Sequence, residues 1–412
     1  VVVQLLKKLV TADNHKYSLR EHFSTHTELL ALMVTENAGR TGEHYVTTSR
    51  REHVDMLKRG LGAGFVVGFM AMLKVLSGKM VLAPFAAAFV YSMNYSLGFM
   101  LIHMLHFTIA TKQPAMTASR IAASISEVKK GKERDLEGLA DLCVNVFRTQ
   151  FIAIVGNVAL AIPMGYVIAW FWWYFTGEHL ASPEKSAHLL HELNPLESLA
   201  IFHAAIAGVC LFLAGLISGY YDNKAIYMKI PERLRQRPGL QQLLGIDRLD
   251  RLTRYLENNL GALAGNFYFG LMLGSMGTLG FILGLPLDIR HITFSSAYFS
   301  FAFVGMDQHL PLYTLAISLA GVAAIGMTNL VVSFSLALMV ALKSRRVRYG
   351  QWLPLLLLIA RRFRKNPGQF FWPPKEAAPE TVTTSGTAAN ATAAGAVTGA
   401  STGTTAAAPD KH

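Results

Sequence analysis

Two short clusters of protonatable residues sit at the ends of long apolar stretches, where proton or anion chemistry would be sought first. His103 and His106 are followed by Lys112, Gln113 and Pro114. On a helix the two imidazoles would fall about 60 degrees apart on one face, with an ammonium and an amide within two turns. Such a group could relay a proton or hold an anion, although interfacial histidines without chemistry are the simpler account. Asp222, Asn223 and Lys224 form the second cluster. Either cluster would suit an enzyme working at the cytoplasmic membrane interface. Asn266 lies alone inside a glycine-rich apolar stretch, where its amide serves either as a hydrogen bond between helices or as part of a transport site. Asn94, Tyr95, Asn157, His203 and Asn329 are the other polar groups at comparable positions.

Metal and cofactor chemistry find little support. His188 and His191 stand three residues apart and could share a metal on a helix, but no cysteine or further well-spaced ligand accompanies them. Cys143 and Cys210 lie in no redox or metal motif, and no phosphate-binding glycine loop, zincin helix or nucleophile elbow is present. No cofactor is expected.

The elements that must position these residues are six apolar stretches, each about as long as a bilayer-crossing helix needs to be. They run from Gly60 to Met80, Pro84 to Ala110, Phe151 to Phe175, Ser198 to Tyr220, Gly261 to Leu285 and Leu310 to Leu342. With 52% hydrophobic and 16% charged residues, the chain falls on the membrane side of ordinary globular usage. A soluble core helix of this length would carry charges on its wet face, and five of the six stretches carry almost none. Lys74, in the first, is expected to lead its ammonium along its flexible stem to the headgroups. The fold class is therefore an all-α polytopic transmembrane helix bundle. The apolar stretch from His291 to Val304 is too short to cross and reads as re-entrant or interfacial; a seventh crossing would move Arg345, Arg346 and Arg348 to the wrong side.

Charge placement gives the orientation. Basic residues crowd the region before the first stretch, the loops at 111–150 and 221–260, and the residues after the sixth stretch. The opposite loops hold one each, namely Lys79, Lys185 and Arg290. By the positive-inside rule the net charge of +12 faces the cytoplasm, as do both termini. Trp170, Trp172 and Trp173 at the far end of the third stretch fit an interfacial aromatic belt. Gly270, Gly274, Gly277, Gly280 and Gly284 fall within about 120 degrees on a helical wheel, a face that should meet another helix closely.

Residues 1–59 read as the end of a cytoplasmic, helical region of a longer chain, since the sequence opens on Val1 without a signal-peptide layout. The transmembrane domain occupies 60–346. Residues 347–373 form a basic aromatic segment suited to the anionic lipids of the inner leaflet. The stretch 374–412, rich in Ala, Thr and Gly, is expected to be disordered. A homo-oligomer is left open.

The strings GEHYVTTSRREHVDMLKRG from Gly42, FTIATKQPAMTASRIA from Phe107, SGYYDNKA from Ser218 and LAGNFYFGLMLGSMGTLGFILGLPLDIRHITFSSA from Leu263 resemble the bacterial family of Gcr-type site-specific recombinases, over about residues 42–346. The resemblance implies a proteobacterial inner-membrane protein whose complete form carries a larger amino-terminal cytoplasmic region. The family's name asserts DNA recombination. A tyrosine recombinase needs an Arg and a His-x-x-Arg element to hold the scissile phosphate, with a Tyr nucleophile, and none of the fourteen histidines has Arg three residues later. Transport of a small solute, or an envelope role, is therefore the preferred reading. A membrane-tethered recombinase or DNA-binding protein, and an interfacial enzyme, are the alternatives.

Compartment reporters test this topology. Fused after Phe175 and after Lys224, they should report opposite sides of the membrane; the same side for both would overturn the orientation.

Overall fold

Hydrocarbon offers no hydrogen bonds, so a chain that crosses it must satisfy its backbone internally, and an apolar stretch does this by forming a helix. The computed structural model describes residues 2–14, 49–109, 135–344 and 352–373, within which every helix and strand position is helical. The elements are α1 (Val2–Asn14), α2 (Arg50–Gly78), α3 (Pro84–Met104), α4 (Asp135–Thr176), α5 (Pro183–Leu193), α6 (Ala200–Tyr227), α7 (Ile230–Arg235), α8 (Pro238–Leu244), α9 (Ile246–Leu283), α10 (Ile292–Gly305), α11 (Leu312–Ser344) and α12 (Trp352–Lys365), followed by a 3₁₀ turn at Pro367–Phe370. Six of them, α2, α3, α4, α6, α9 and α11, are long and apolar enough to cross a membrane. The chain is a polytopic helical bundle. The expected tail at 374–412, most of the loop at 111–150, and Arg345, Arg346 and Arg348 lie outside the described residues.

Several helices overrun their apolar stretches at the end that carries the basic loops. There α2 starts at Arg50 under a capping box, in which Ser49 Oγ accepts from the Glu52 N–H and the Glu52 carboxylate accepts from the Ser49 N–H. The segment 221–260 is largely helix: α6 continues to Tyr227, α9 begins at Ile246, and Arg235 of α7 ties to Asp250 of α9 at 2.7 Å.

Packing runs as an arc, α4 on α2, α2 on α3, α3 on α9, α9 on α6 and α6 on α11. The short helix α10 bridges the two ends of that arc, lying against both α4 and α11. Its amino-terminal end is pinned within the bundle: Thr293 Oγ1 hydrogen-bonds Asn157 Oδ1 of α4 at 3.3 Å, and Asn329 Oδ1 of α11 accepts from the Ile292 N–H at 3.2 Å. Its other end, Gly305, packs tightly against Ala181 and Ser186 beside and within α5. Fourteen residues at about 1.5 Å each fall short of the bilayer core. The segment is a short buried apolar helix that does not reach across.

The five aligned glycines of α9 do three different jobs. A Cβ at Gly270 or Gly274 would strike the Ser96 or Ser92 backbone of α3. The same crossing is stitched by Ser96 Oγ to Phe267 O at 2.7 Å and Ser92 Oγ to Leu271 O at 3.2 Å. Gly277 and Gly280 face the returning segment at Asp288 and Leu287 rather than a helix. Gly284 departs from the expected packing face: its φ of +65° makes it the left-handed cap that ends α9.

The carboxy-terminal segment folds back on the bundle. Phe370 is buried against Phe147, Phe371 lies 4.8 Å from Phe151, and Trp372 meets His53 edge-on at 5.0 Å. Arg148 donates to Gln369 O at 3.1 Å, and Arg362 pairs with Asp141. These rings, which the sequence suggests for lipid contact, are thus engaged with protein, while Arg361, Arg364 and Lys365 stay exposed.

Overpacking this kind of contact typically costs about 1–3 kcal/mol. Gly270→Leu should therefore lower the melting temperature of the purified protein clearly, whereas Gly277→Ala, whose Cβ would find ordinary contact, should melt like wild type. Equal melting temperatures for Gly270→Leu and wild type would count against the crossing.

Candidate functional site

At the end of the bundle opposite the basic loops, α2, α3, α5, α10 and the segment 285–291 enclose a cavity of about 520 Å³. Helical spacing supplies its lining. Lys74 and Gly78 stand four apart on α2, Tyr91 and Tyr95 four apart on α3, and Ser295 and Tyr298 three apart on α10, so each pair presents to one side. Glu192 and Lys185 arrive on α5, and Asp288 and Arg290 on the irregular segment.

Lys74 does not lead its ammonium to the headgroups as its place in the sequence suggests. Nζ stands over the rings of Tyr91, Tyr95 and Tyr298 at 5.6, 5.7 and 5.9 Å. The negative ring faces attract a cation that has left bulk water, which is why it stays inside. The Tyr95 and Tyr298 hydroxyls meet at 3.3 Å, holding two walls of the cage together. Among the described residues no carboxylate comes within 4.0 Å of this Nζ.

The acidic groups are taken by Arg290. Its Nη2 lies 2.6 Å from Glu192 Oε1 and its Nη1 2.5 Å from Asp288 Oδ2. Its side chain is only 12% exposed, and its Nε is buried without a hydrogen-bond partner. Burial works against the charge of Asp288, yet Arg290 and Lys74 beside it, with hydrogen bonds from Arg290 and the Ile289 N–H, hold its carboxyl below the usual range. Burial likewise opposes the Arg290 charge, and Asp288 and Glu192 more than offset it.

The residues singled out by sequence lie elsewhere. His103 Nε2 meets Asn259 Oδ1 of α9 at 3.0 Å. His106 stands beyond the end of α3 with a φ of +59°, exposed, so the shared helical face drawn for the two histidines is not formed. Lys112 and Gln113 lie outside the described residues. Asp222 Oδ1 accepts from the Gly261 N–H at 3.1 Å where α6 crosses α9. Asn223 is buried, and Lys224 lies over Tyr220 and Tyr221 at 5.5 and 5.6 Å. Asn266 is buried in α9. None of these lines the cavity. His188 pairs with Glu192 at 3.6 Å rather than with His191.

Lys74, Glu192, Asp288 and Arg290 carry the site, and sequence reasoning passed over them as a site. One signal was present: Lys74 is the charge that interrupts an otherwise apolar first stretch.

A family model described as site-specific recombinase matches residues 1–373, a wider range than the quoted strings cover. No curated protein and no solved structure matches the chain.

Removing one partner from a buried ionic group strands the others, a loss of about 3–5 kcal/mol. Arg290→Met should therefore destabilise the purified protein by an amount of that order, read from denaturant or thermal unfolding. The depressed carboxyl of Asp288 contributes stability that is complete above its unfolded pKa of about 3.9 and is lost as pH falls through its lower folded value. Acidification from pH 5 to pH 3 should thus cost wild type more than Asp288→Asn; parallel losses would show that the ion pair carries no stability.

Proposed function

The chain belongs to the site-specific recombinase family, and from this membership and its ionic cavity we propose a bacterial inner-membrane protein that handles a small solute, in transport or in an envelope process. By the positive-inside rule the basic loops support a cytoplasmic placement of that end of the bundle and of both termini. The cavity then opens on the outer side.

The observation that carries the reading is the cluster of Lys74, Arg290, Glu192 and Asp288 around open volume inside an apolar bundle. Ionised groups at such positions are costly and mark functional sites by default, a solute or ion path among them. A purely structural role would favour filling the space with apolar side chains, which pack without a desolvation cost. The exposed Arg361, Arg364 and Lys365 would rest on anionic lipid at the cytoplasmic face.

The family's name supports a second reading, a membrane-tethered recombinase. That chemistry needs a nucleophile beside an Arg cluster that grips a phosphate. The basic residues at the cytoplasmic end are already accounted for by topology.

One experiment separates the two. A strain lacking the protein should show altered levels of some small solute or an envelope defect, restored by wild type and not by Lys74→Gln inserted at the same level. Full complementation by Lys74→Gln, together with a covalent protein–DNA adduct trapped on the purified full-length protein, would replace the solute reading with recombination.

A further inference from the structure

Resting on the solute reading, we infer that the ligand of the cavity is a small organic anion, a carboxylate or a phosphate ester, with Lys74 as its principal charge partner. The reason is an imbalance of charge. Four basic side chains line the cavity, Lys74, Lys79, Lys185 and Arg290, against two carboxylates, Glu192 and Asp288. Both carboxylates are already held by Arg290 at 2.5–2.6 Å. The ammonium of Lys74 therefore has ring faces around it and no anion in contact.

Ring faces hold an ammonium less tightly than a charged oxygen does. A cation–π contact is worth about 0.5–2 kcal/mol, and a charge-assisted hydrogen bond is among the strongest contacts a protein makes. An arriving anionic oxygen would draw Nζ off the tyrosine faces, and the tyrosine hydroxyls could turn toward the same charge. The buried Nε of Arg290 is one more donor without an acceptor. At the rim, the exposed Lys79 and Lys185 would raise the local concentration of anions.

A cationic ligand would meet the opposite field and find both carboxylates taken. Leu189, Leu273 and Phe294 form apolar wall, and the volume of about 520 Å³ falls in the range of small-molecule sites. The ligand thus carries carbon as well as charge. Both a free solute and the headgroup of a lipid fit that chemistry.

The test is thermal unfolding of the purified full-length protein, delipidated in neutral detergent. Small carboxylates and phosphate esters are compared with neutral and cationic counterparts of the same size. The expected result is stabilisation by at least one anion, with binding roughly tenfold or more weaker in Lys74→Gln, partly retained in Lys74→Arg and unchanged in the control Lys58→Gln, an exposed lysine remote from the cavity. An added arm titrates anionic lipid into zwitterionic nanodiscs. Stabilisation by that lipid alone, still dependent on Lys74, would assign the anion to a headgroup. Stabilisation by neutral or cationic solutes only would overturn the inference and leave the solute reading standing, as would anion binding indifferent to Lys74→Gln as to its site. No stabilisation by any solute or lipid, combined with an unaltered deletion strain, would remove the solute reading itself.

Discussion

Every backbone polar group withdrawn from water has to find a partner within the protein, and where the chain leaves the helix at residues 285–292 the amide of Asn329 meets two of them, Arg290 O and the Ile292 N–H. Its Nδ2 donates to Ala204 O at 2.8 Å and to Arg290 O at 3.0 Å, and its Oδ1 accepts from the Ile292 N–H. A single side chain thereby joins α6, α11, the irregular segment and the start of α10. Asn157 does the same on the other side, donating to Gly60 O and Thr108 O at 2.9 Å each while accepting from Thr293. Without these two amides the backbone groups they bond would be left unmet away from water, each at a cost of about 1–3 kcal/mol.

The site follows from that arrangement. Once the segment is fixed, Asp288 and Arg290 are carried into the bundle, and α10 rises from the same anchor to bring Tyr298 opposite Tyr95 of α3. Arg290 is tolerable there because two carboxylates compensate its charge. Lys74 is differently placed: ring faces and neighbouring charges make it bearable without a direct counter-ion. A cavity whose cation is held by weak contacts is better prepared for a ligand than one already neutralised.

Much of the architecture was legible residue by residue. The six long helices, the short apolar helix that cannot cross and the approach of Gly270 and Gly274 to a neighbour all follow from local composition, because helix length and small-residue spacing are properties of a few consecutive turns. Gly284 shows where such reading ends. Its place on the wheel matches its neighbours, and its role depends on the chain leaving the helix there. His106 fails for the same reason: the wheel assumes a helix that stops at Met104.

The amino-acid sequence by itself determined that this is a helical membrane protein, where its helices lie and which end carries the basic charge, since each depends on short-range hydrophobicity and on counts of charge in loops. Only the tertiary structure decided that Lys74, Tyr91, Glu192, Asp288, Arg290 and Tyr298 share one cavity. They come from five elements far apart in the chain, each contributing one or two residues. No spacing records which faces will be turned toward one another when α10 closes the arc.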